Sequence, residues 1–292
     1  TLMRSSAASD VYKRQVIIMV RFSVLMSVYR KENPVFLRKS LNSVFSQTLP
    51  ANEIVLVEDG PLTDELYEVI DEFRESQSTL KIVSLEQNQG LGNALNEGMK
   101  HCSFEIIARM DTDDICYPDR FEKQISYMEC HFDVDVVGCW TQEFYEDLEG
   151  HKVITSLKKF PNTVWHNIKY CTKRCPVEHP AVVLRKKAVL AVGGYQHCYL
   201  FEDYHLWARM FVNGSKFYNL QEPLLFFRIS NESFKRRGGY RYAMSEYNAL
   251  KEFCRIGFLS KKDFLFAVIT RFPVRLLPNG IRKVFYNLFL RG

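Results

Sequence analysis

No uninterrupted apolar run in this chain reaches the about 20 residues that a membrane-spanning helix needs. The stretch from Val16 to Val28 is broken by Arg21 and is too short. Residues 1–15 (TLMRSSAASDVYKRQ) have neither the apolar centre nor the small-residue cleavage site of a secretory signal. They read as part of a non-native or disordered extension over residues 1–18, with Met19 as the expected start. The eight cysteines form no Cys-x-x-Cys pair, which argues against a zinc site or a disulfide framework and for a reducing cytoplasm. Internal repeats and low-complexity tracts are lacking too.

What is present suits a globular chain. Its 292 residues are 47% apolar and 25% charged, enough for one large α/β domain or two small ones with a proper core. The net charge of +5 is unevenly spread. From Lys235 onward 13 Lys/Arg face 3 Asp/Glu, an excess of 10, which leaves the preceding residues at −5. An acidic body with a basic tail points to an anionic surface at one end.

Along the chain, short apolar runs alternate with helical patterns. The first strand ends at Ser27-Val28-Tyr29. Asn33 then caps a helix with Pro34 in its first turn and Leu37, Leu41, Val44 and Phe45 as its stripe. A strand over 53–57 runs into Glu58-Asp59-Gly60, and Leu62, Leu66, Val69, Ile70 and Phe73 mark the next helix. A third strand, 80–85, leads to Asn88-Gln89-Gly90-Leu91-Gly92 and another helix. This alternation predicts parallel pairing and right-handed crossovers, a nucleotide-binding type of sheet.

The run Ile106-Ile107-Ala108-Arg109-Met110 then ends in Asp111-Thr112-Asp113-Asp114, before Pro118 and Asp119 open a helix through Phe121, Ile125 and Met128. Ligands of α/β sheets bind at carboxyl ends of strands. Carboxylates crowded there repel one another unless a cation joins them, and Mg²⁺ or Mn²⁺ take such oxygen ligands. An acidic turn capping a helix is the plainer reading. Further on, a strand is expected over 134–139, a hairpin turn at Glu149-Gly150, a strand at Ala181–Leu184 and a tight turn at Gly193-Gly194-Tyr195. Phe201-Glu202-Asp203-Tyr204 opens a helix through Leu206, Trp207 and Met210. Two strands, 216–220 and 224–229, follow, and from Tyr240 the chain reads as helices.

Ser27-Val28-Tyr29, Val57-Glu58-Asp59-Gly60, Asn88-Gln89-Gly90, Asp111-Thr112-Asp113-Asp114 and Phe201-Glu202-Asp203-Tyr204, in this order, resemble the family 2 glycosyltransferases. Those are inverting enzymes of the GT-A fold, and this chain looks most like the bacterial ones of capsule, exopolysaccharide or O-antigen assembly. The resemblance implies a Rossmann-like, mainly parallel sheet flanked by helices over residues 19–235. Its nucleotide-binding half would be 19–140, its acceptor half 141–235, with a basic, amphipathic helical extension over 236–292.

By the same resemblance, Tyr29 would lie against the base, Asp59 would accept a hydrogen bond from it, and Asn88 would sit on the nucleotide side. Asp111 would hold ribose or donor sugar. Asp113, with Asp114 as the alternative, would bind Mg²⁺ or Mn²⁺ across the diphosphate. Asp203 would be the general base, with Glu202 and His179 toward the acceptor and Arg228 toward the diphosphate. Structural readings stand beside each of these: core packing for Tyr29, a turn for Asp59, a helix N-cap for Asp203, an ion pair with an acid for Arg228. For Trp165 and Trp207, core packing is favoured over a sugar-stacking surface.

The expected activity is transfer of a hexose from a nucleoside diphosphate sugar, a UDP-sugar first, to a saccharide or lipid-linked saccharide. A sugar-1-phosphate nucleotidyltransferase is the alternative enzyme, but Ser27-Val28-Tyr29-Arg30 lacks that class's glycine-rich loop. A non-catalytic nucleotide-binding scaffold is the third reading. The tail, with Phe264–Ile269, Arg271, Arg275 and Ile281–Phe289, suits an amphipathic layer on an anionic membrane, which would place the protein at the inner face of the plasma membrane. No nucleic acid is expected as a partner.

Overall fold

The computed structural model describes residues 20–163, 168–230 and 238–278. The N-terminal extension, Trp165 and the Ile281–Phe289 segment lie outside the described residues. Strands β1 (Phe22–Val28), β2 (Glu53–Glu58), β3 (Leu80–Ser84) and β4 (Ile106–Arg109) alternate with helices α1 (Pro34–Phe45), α2 (Asp64–Ser76) and α3 (Leu91–His101). They pair in parallel in the spatial order β3-β2-β1-β4. The order reverses between β1 and β4, so the loops after Val28 and Arg109 open side by side, where such sheets leave a crevice.

Period-two alternation splits β1 between two cores. Phe22, Val24, Met26 and Val28 join Leu37 and Leu41 of α1 and Leu66 and Ile70 of α2 on one face. Leu25 joins Val55, Val57, Ala94 and Leu95 on the other. At the head of α1 the Asn33 side chain accepts from Val35 N at 2.8 Å, with Pro34 inside the first turn. Gly98 lets α3 lie flat on the sheet, since a Cβ there would meet Leu25 Cδ1 and Val57 Cγ2, each at 2.5 Å.

After the acidic turn come β5 (Ile115–Cys116) and α4 (Arg120–Cys130). The sheet continues through β8 (Val183–Arg185), β6 (Val136–Glu146) and β9 (Phe217–Arg228) to β5, with β7 (Lys152–Lys158) hairpinned onto β6. Here the pairing becomes mixed: β4 with β8 and β8 with β6 are antiparallel, β6 with β9 parallel. Three expectations are corrected in this half. The strand expected at 134–139 runs on to Glu146. Ala181 belongs to a 3-10 turn, His179–Ala181, ahead of β8. The strands expected at 216–220 and 224–229 are one strand, because shifts in register beside Trp140 carry Pro223, which has no N–H to donate, through the ladder.

Short helices α5 (Ile168–Cys171) and α6 (Lys186–Ala191) precede α7 (Glu202–Val212). The C-terminal helices α8 (Tyr240–Arg255) and α9 (Lys261–Leu276) extend the second core: Ala249, Leu250, Phe253 and Ala267 pack with Leu206 and Trp207 of α7. Trp207 is therefore a core residue, 1% exposed, and offers no sugar-stacking surface.

Candidate active site

The acidic turn is built on Arg109, the last residue of β4. Its guanidinium is 2% exposed and pairs with Asp111. The carboxylates of Asp111, Asp113 and Asp114 each bring an oxygen within 4.8 Å of the others. Asp114 Oδ1 accepts from the backbone N of Arg228 at 2.7 Å, whereas its buried Oδ2 has no partner. Glu32 adds a fourth carboxylate, accepting from Thr112 Oγ1 at 2.8 Å. Burial, then the Asp111 and Glu32 charges, push Asp113 up to about 7. Burial with the Asp113 and Asp111 charges lifts Asp114 well above the usual carboxylate range. Crowded negative charge and an orphaned buried oxygen are what a hard divalent ion would satisfy, so these residues fit Mg²⁺ or Mn²⁺.

Arg228 braces this turn. Its Nε donates to the Asp113 carbonyl at 2.7 Å, its Nη2 lies 3.3 Å from Glu146, and its guanidinium lies over Phe36 at 3.8 Å and Phe144 at 4.5 Å. So fixed, it acts as a strut against the turn, and its acidic partner is Glu146, which is itself largely buried rather than a surface acid.

On the crevice's other side, Asp59 is 3% exposed and ties down the loop before α3. It accepts from Gln89 N at 2.6 Å, Gly90 N at 3.0 Å and Asn88 Nδ2 at 2.9 Å. Three of its roughly four lone-pair positions are thus used within the chain. Gly60, at φ 83°, permits this approach, because a Cβ there would stand 2.5 Å from Asn88 N. Tyr29 is 39% exposed at the end of β1, so it is not a core residue, and Asn88 is exposed as well.

Asp203 lies in the first turn of α7. The N-cap is Phe201, not Asp203; the Asp203 carboxylate accepts from its neighbour Tyr204 N at 2.7 Å. The alternative reading of Asp203 as the helix N-cap is therefore corrected. Burial, with the Glu178 and Glu202 charges, lifts Asp203 to about 6, and Arg109 pulls it back. His179 is buried and shares a 2.7 Å hydrogen bond with the Tyr195 hydroxyl, its ring edge-on to Trp207. Burial and the Arg109 charge hold its pKa well below the usual value, so it is a neutral partner of Tyr195. Glu202, half-buried, lies where a Cβ at Gly92 would come within 3.6 Å of it.

Arg109, Glu32 and Tyr195 escaped the sequence reading. A lone arginine closing an apolar strand was the one available signal. Its charge acts on Asp111, Asp113, Asp114, His179, Tyr195 and Asp203 alike.

A parallel half-sheet with an acidic turn at its switch point is an α/β architecture of the GT-A type. Residues 23–190 match the family model for glycosyl transferase family 2. An Escherichia coli UDP-Gal:alpha-D-GlcNAc-diphosphoundecaprenol beta-1,3-galactosyltransferase is 41% identical over 93% of this chain and 97% of its own. The amylovoran biosynthesis glycosyltransferase AmsE of Erwinia amylovora is 39% identical over 93% of this chain and 100% of its own. Among solved structures, a mannosyltransferase from Pyrobaculum calidifontis in complex with GDP-Man and Mn²⁺ superposes with a TM-score of 0.63 at 13% identity, over 97% of this chain and 84% of that one. The chain belongs to glycosyltransferase family 2. That membership sets aside the nucleotidyltransferase reading.

Proposed function

We propose that this chain transfers a hexose from a UDP-sugar to a lipid-linked saccharide with inversion, in cell-surface polysaccharide assembly. The relative acting on an undecaprenyl diphosphate sugar, with UDP-galactose in its name, supports this donor and acceptor class. The observation that carries the reading is one buried cation, Arg109, paired with the acidic turn and acting on Asp203. Tyr29 offers a face for the base, and Asp59 keeps the Asn88 loop beneath it.

Asp113 and Asp114 would hold a divalent ion, which stabilises charge on the departing nucleoside diphosphate. Asp203 then accepts the proton of the acceptor hydroxyl as that oxygen bonds to the anomeric carbon and the bond from carbon to phosphate oxygen breaks. A carboxylate near 6 is ionised at neutral pH yet more basic than an ordinary one, which suits a general base.

Work on a lipid-linked acceptor also favours a position at the inner face of the membrane. Helix α9 presents Leu265, Phe266 and Ile269 to solvent, behind Lys261 and Lys262 at its start. Arg271 and Arg275 do not add to this surface, because both pair with Glu246 of α8.

The test is Asp203→Asn. Loss of the base should lower transfer by about 10²- to 10⁴-fold with donor affinity and melting temperature little changed. Transfer within a few-fold of the unmodified enzyme would remove Asp203 from this role.

A further inference from the structure

We propose that Asn96 of α3 is a positioning residue for sugar transfer: by clamping the 192–195 loop it fixes the first turn of α7, and with it Asp203, against the helix that opens on the donor side. The proposal rests on the transferase reading, with Asp203 as the base, and adds what holds that base in place.

The clamp is two-sided. Both ends of the Asn96 amide go to the backbone of one residue 99 positions further on. Its Oδ1 accepts from Tyr195 N at 2.8 Å and its Nδ2 donates to Tyr195 O at 2.7 Å, the exchange that a paired strand residue would supply. The loop is shaped for this approach. Gly194 has φ 67°, and a Cβ there would stand 2.5 Å from Asn96 Oδ1. Gly92 lies on the same face of α3, one helical turn earlier. A Cβ there would already touch Tyr195 Cβ at 3.4 Å and Glu202 Cγ at 3.6 Å. Glu202, the neighbour of Asp203, therefore lies beside the first turn of α3.

The loop passes this constraint to the helix of the base. Arg209 of α7 donates to the carbonyls of Val192 and Gly194, the latter at 2.7 Å. Tyr195 adds a third hold through the 2.7 Å bond between its hydroxyl and His179. Three residues beyond His179, the Val182 carbonyl accepts from Arg109 N at 2.9 Å, which joins the loop to the strand that ends in the acidic turn. Helix α3 itself starts at the Asn88–Gly90 loop that Asp59 ties down. Hydrogen bonds therefore run from the donor loop through α3, Asn96 and Tyr195 to α7. None of these groups needs to touch a substrate. A base works only where its oxygen meets the proton it takes, and a misplacement of about 1 Å can cost on the order of 10²-fold in rate. A side chain that ties the base's helix to the donor's helix acts on kcat rather than on nucleotide binding.

The experiment is a double-mutant cycle on the full chain, with Asn96→Ala, Asp203→Asn and the two combined. The donor is whichever of a panel of UDP-hexoses the unmodified chain turns over, and the acceptor is N-acetylglucosamine diphosphate on a short alkyl chain. Where that acceptor is not used, Mn²⁺-dependent hydrolysis of the UDP-hexose is followed, with water in place of the acceptor hydroxyl. UDP affinity in Mn²⁺ is measured by calorimetry. We expect Asn96→Ala to lower kcat about tenfold or more while UDP affinity stays within about two-fold. In the Asp203→Asn background it should lower kcat by less than about two-fold, because the group it positions is already gone. An equal fall in both backgrounds shows a role independent of the base and overturns the proposal, as does kcat within two-fold of the parent. Should Asn96→Ala fail to fold, Gly92→Val takes its place under the same criteria, since its methyls must enter space held by Tyr195 or Glu202. Failure of the transferase reading shows separately: Asp203→Asn alone then leaves the rate unchanged, or the parent hydrolyses no UDP-hexose with Mn²⁺, and this proposal falls with it.

Discussion

Arg109 sets the electrostatics of the site residue by residue. It balances Asp111 directly and lowers the pKa values of Asp113, Asp114 and Asp203. With Asp203 near 6, kcat/KM should fall tenfold per pH unit below about 6 and level off above it. Arg109→Met removes the charge and should move that acid limb to higher pH, whereas Arg109→Lys should leave it nearly in place. A pH–rate profile of both variants checks this, and an unmoved limb in Arg109→Met sinks the idea. Removing one partner of a buried pair also costs about 3–5 kcal/mol, so melting curves must accompany the kinetics. The acidic turn was legible in the sequence because its carboxylates are neighbours in the chain. Arg109's reach was not, since His179, Tyr195 and Asp203 come to it from elements 70 and more residues away. Glu32 was hidden for the same reason: its partner Thr112 lies 80 residues on.

Among the elements, the parallel half was readable because each strand and helix carries its own period and cap, as Asn33-Pro34 does for α1. The mixed half was less so. The break at Gln221–Pro223 imitates a turn, and only pairing with β6 shows that β9 runs through it. Gly98 was likewise silent, since a glycine in a helix announces a cost and not its reason. The reason is contact: Leu25 and Val57 occupy the space a methyl would need. On propensity alone Gly98→Ala should stabilise α3 by about 1 kcal/mol. Overpacking should reverse the sign and cost about 1–3 kcal/mol net, because both neighbours are core residues with no room to withdraw. Urea unfolding decides it; a variant as stable as the parent would mean that α3 can lift off the sheet.

At the scale of the whole molecule, two fields act on stability and location. Carboxylates raised in the folded state bind protons there that the unfolded chain releases near pH 4. For Asp113, raised to about 7, the contribution to stability therefore falls as pH rises between about 4 and 7 and is lost above that. Asp113→Asn removes this cost. It should gain in melting temperature over the metal-free parent as pH goes from 5 to 8, while Mn²⁺ stabilises the parent more at pH 8 than at 5.5. Equal Mn²⁺ shifts at both pH values in differential scanning fluorimetry would count against the acidic turn as the metal site.

The second field is that of the anionic membrane proposed above. The sequence showed Phe264–Ile269 as one apolar run; folding divides it by helical period. Phe264, Ala267 and Val268 turn to α7 and α8, and Leu265, Phe266 and Ile269, each 58–64% exposed, turn outward. No described helix is long and apolar enough to cross a membrane. In the proposed membrane contact this face would lie in the interface. Each Lys near an anionic surface contributes about 1 kcal/mol, screened by salt, and each apolar side chain adds by burial. The chain should float with anionic vesicles at low salt and release as salt rises. Replacing Leu265, Phe266 and Ile269 together by Ser should abolish flotation without lowering the melting temperature, because none of the three packs in a core. Lys261→Glu with Lys262→Glu should weaken binding and flatten its salt dependence. If the triple variant still floats, binding lies elsewhere on the molecule, and α9 is an ordinary packed helix with an apolar outer face.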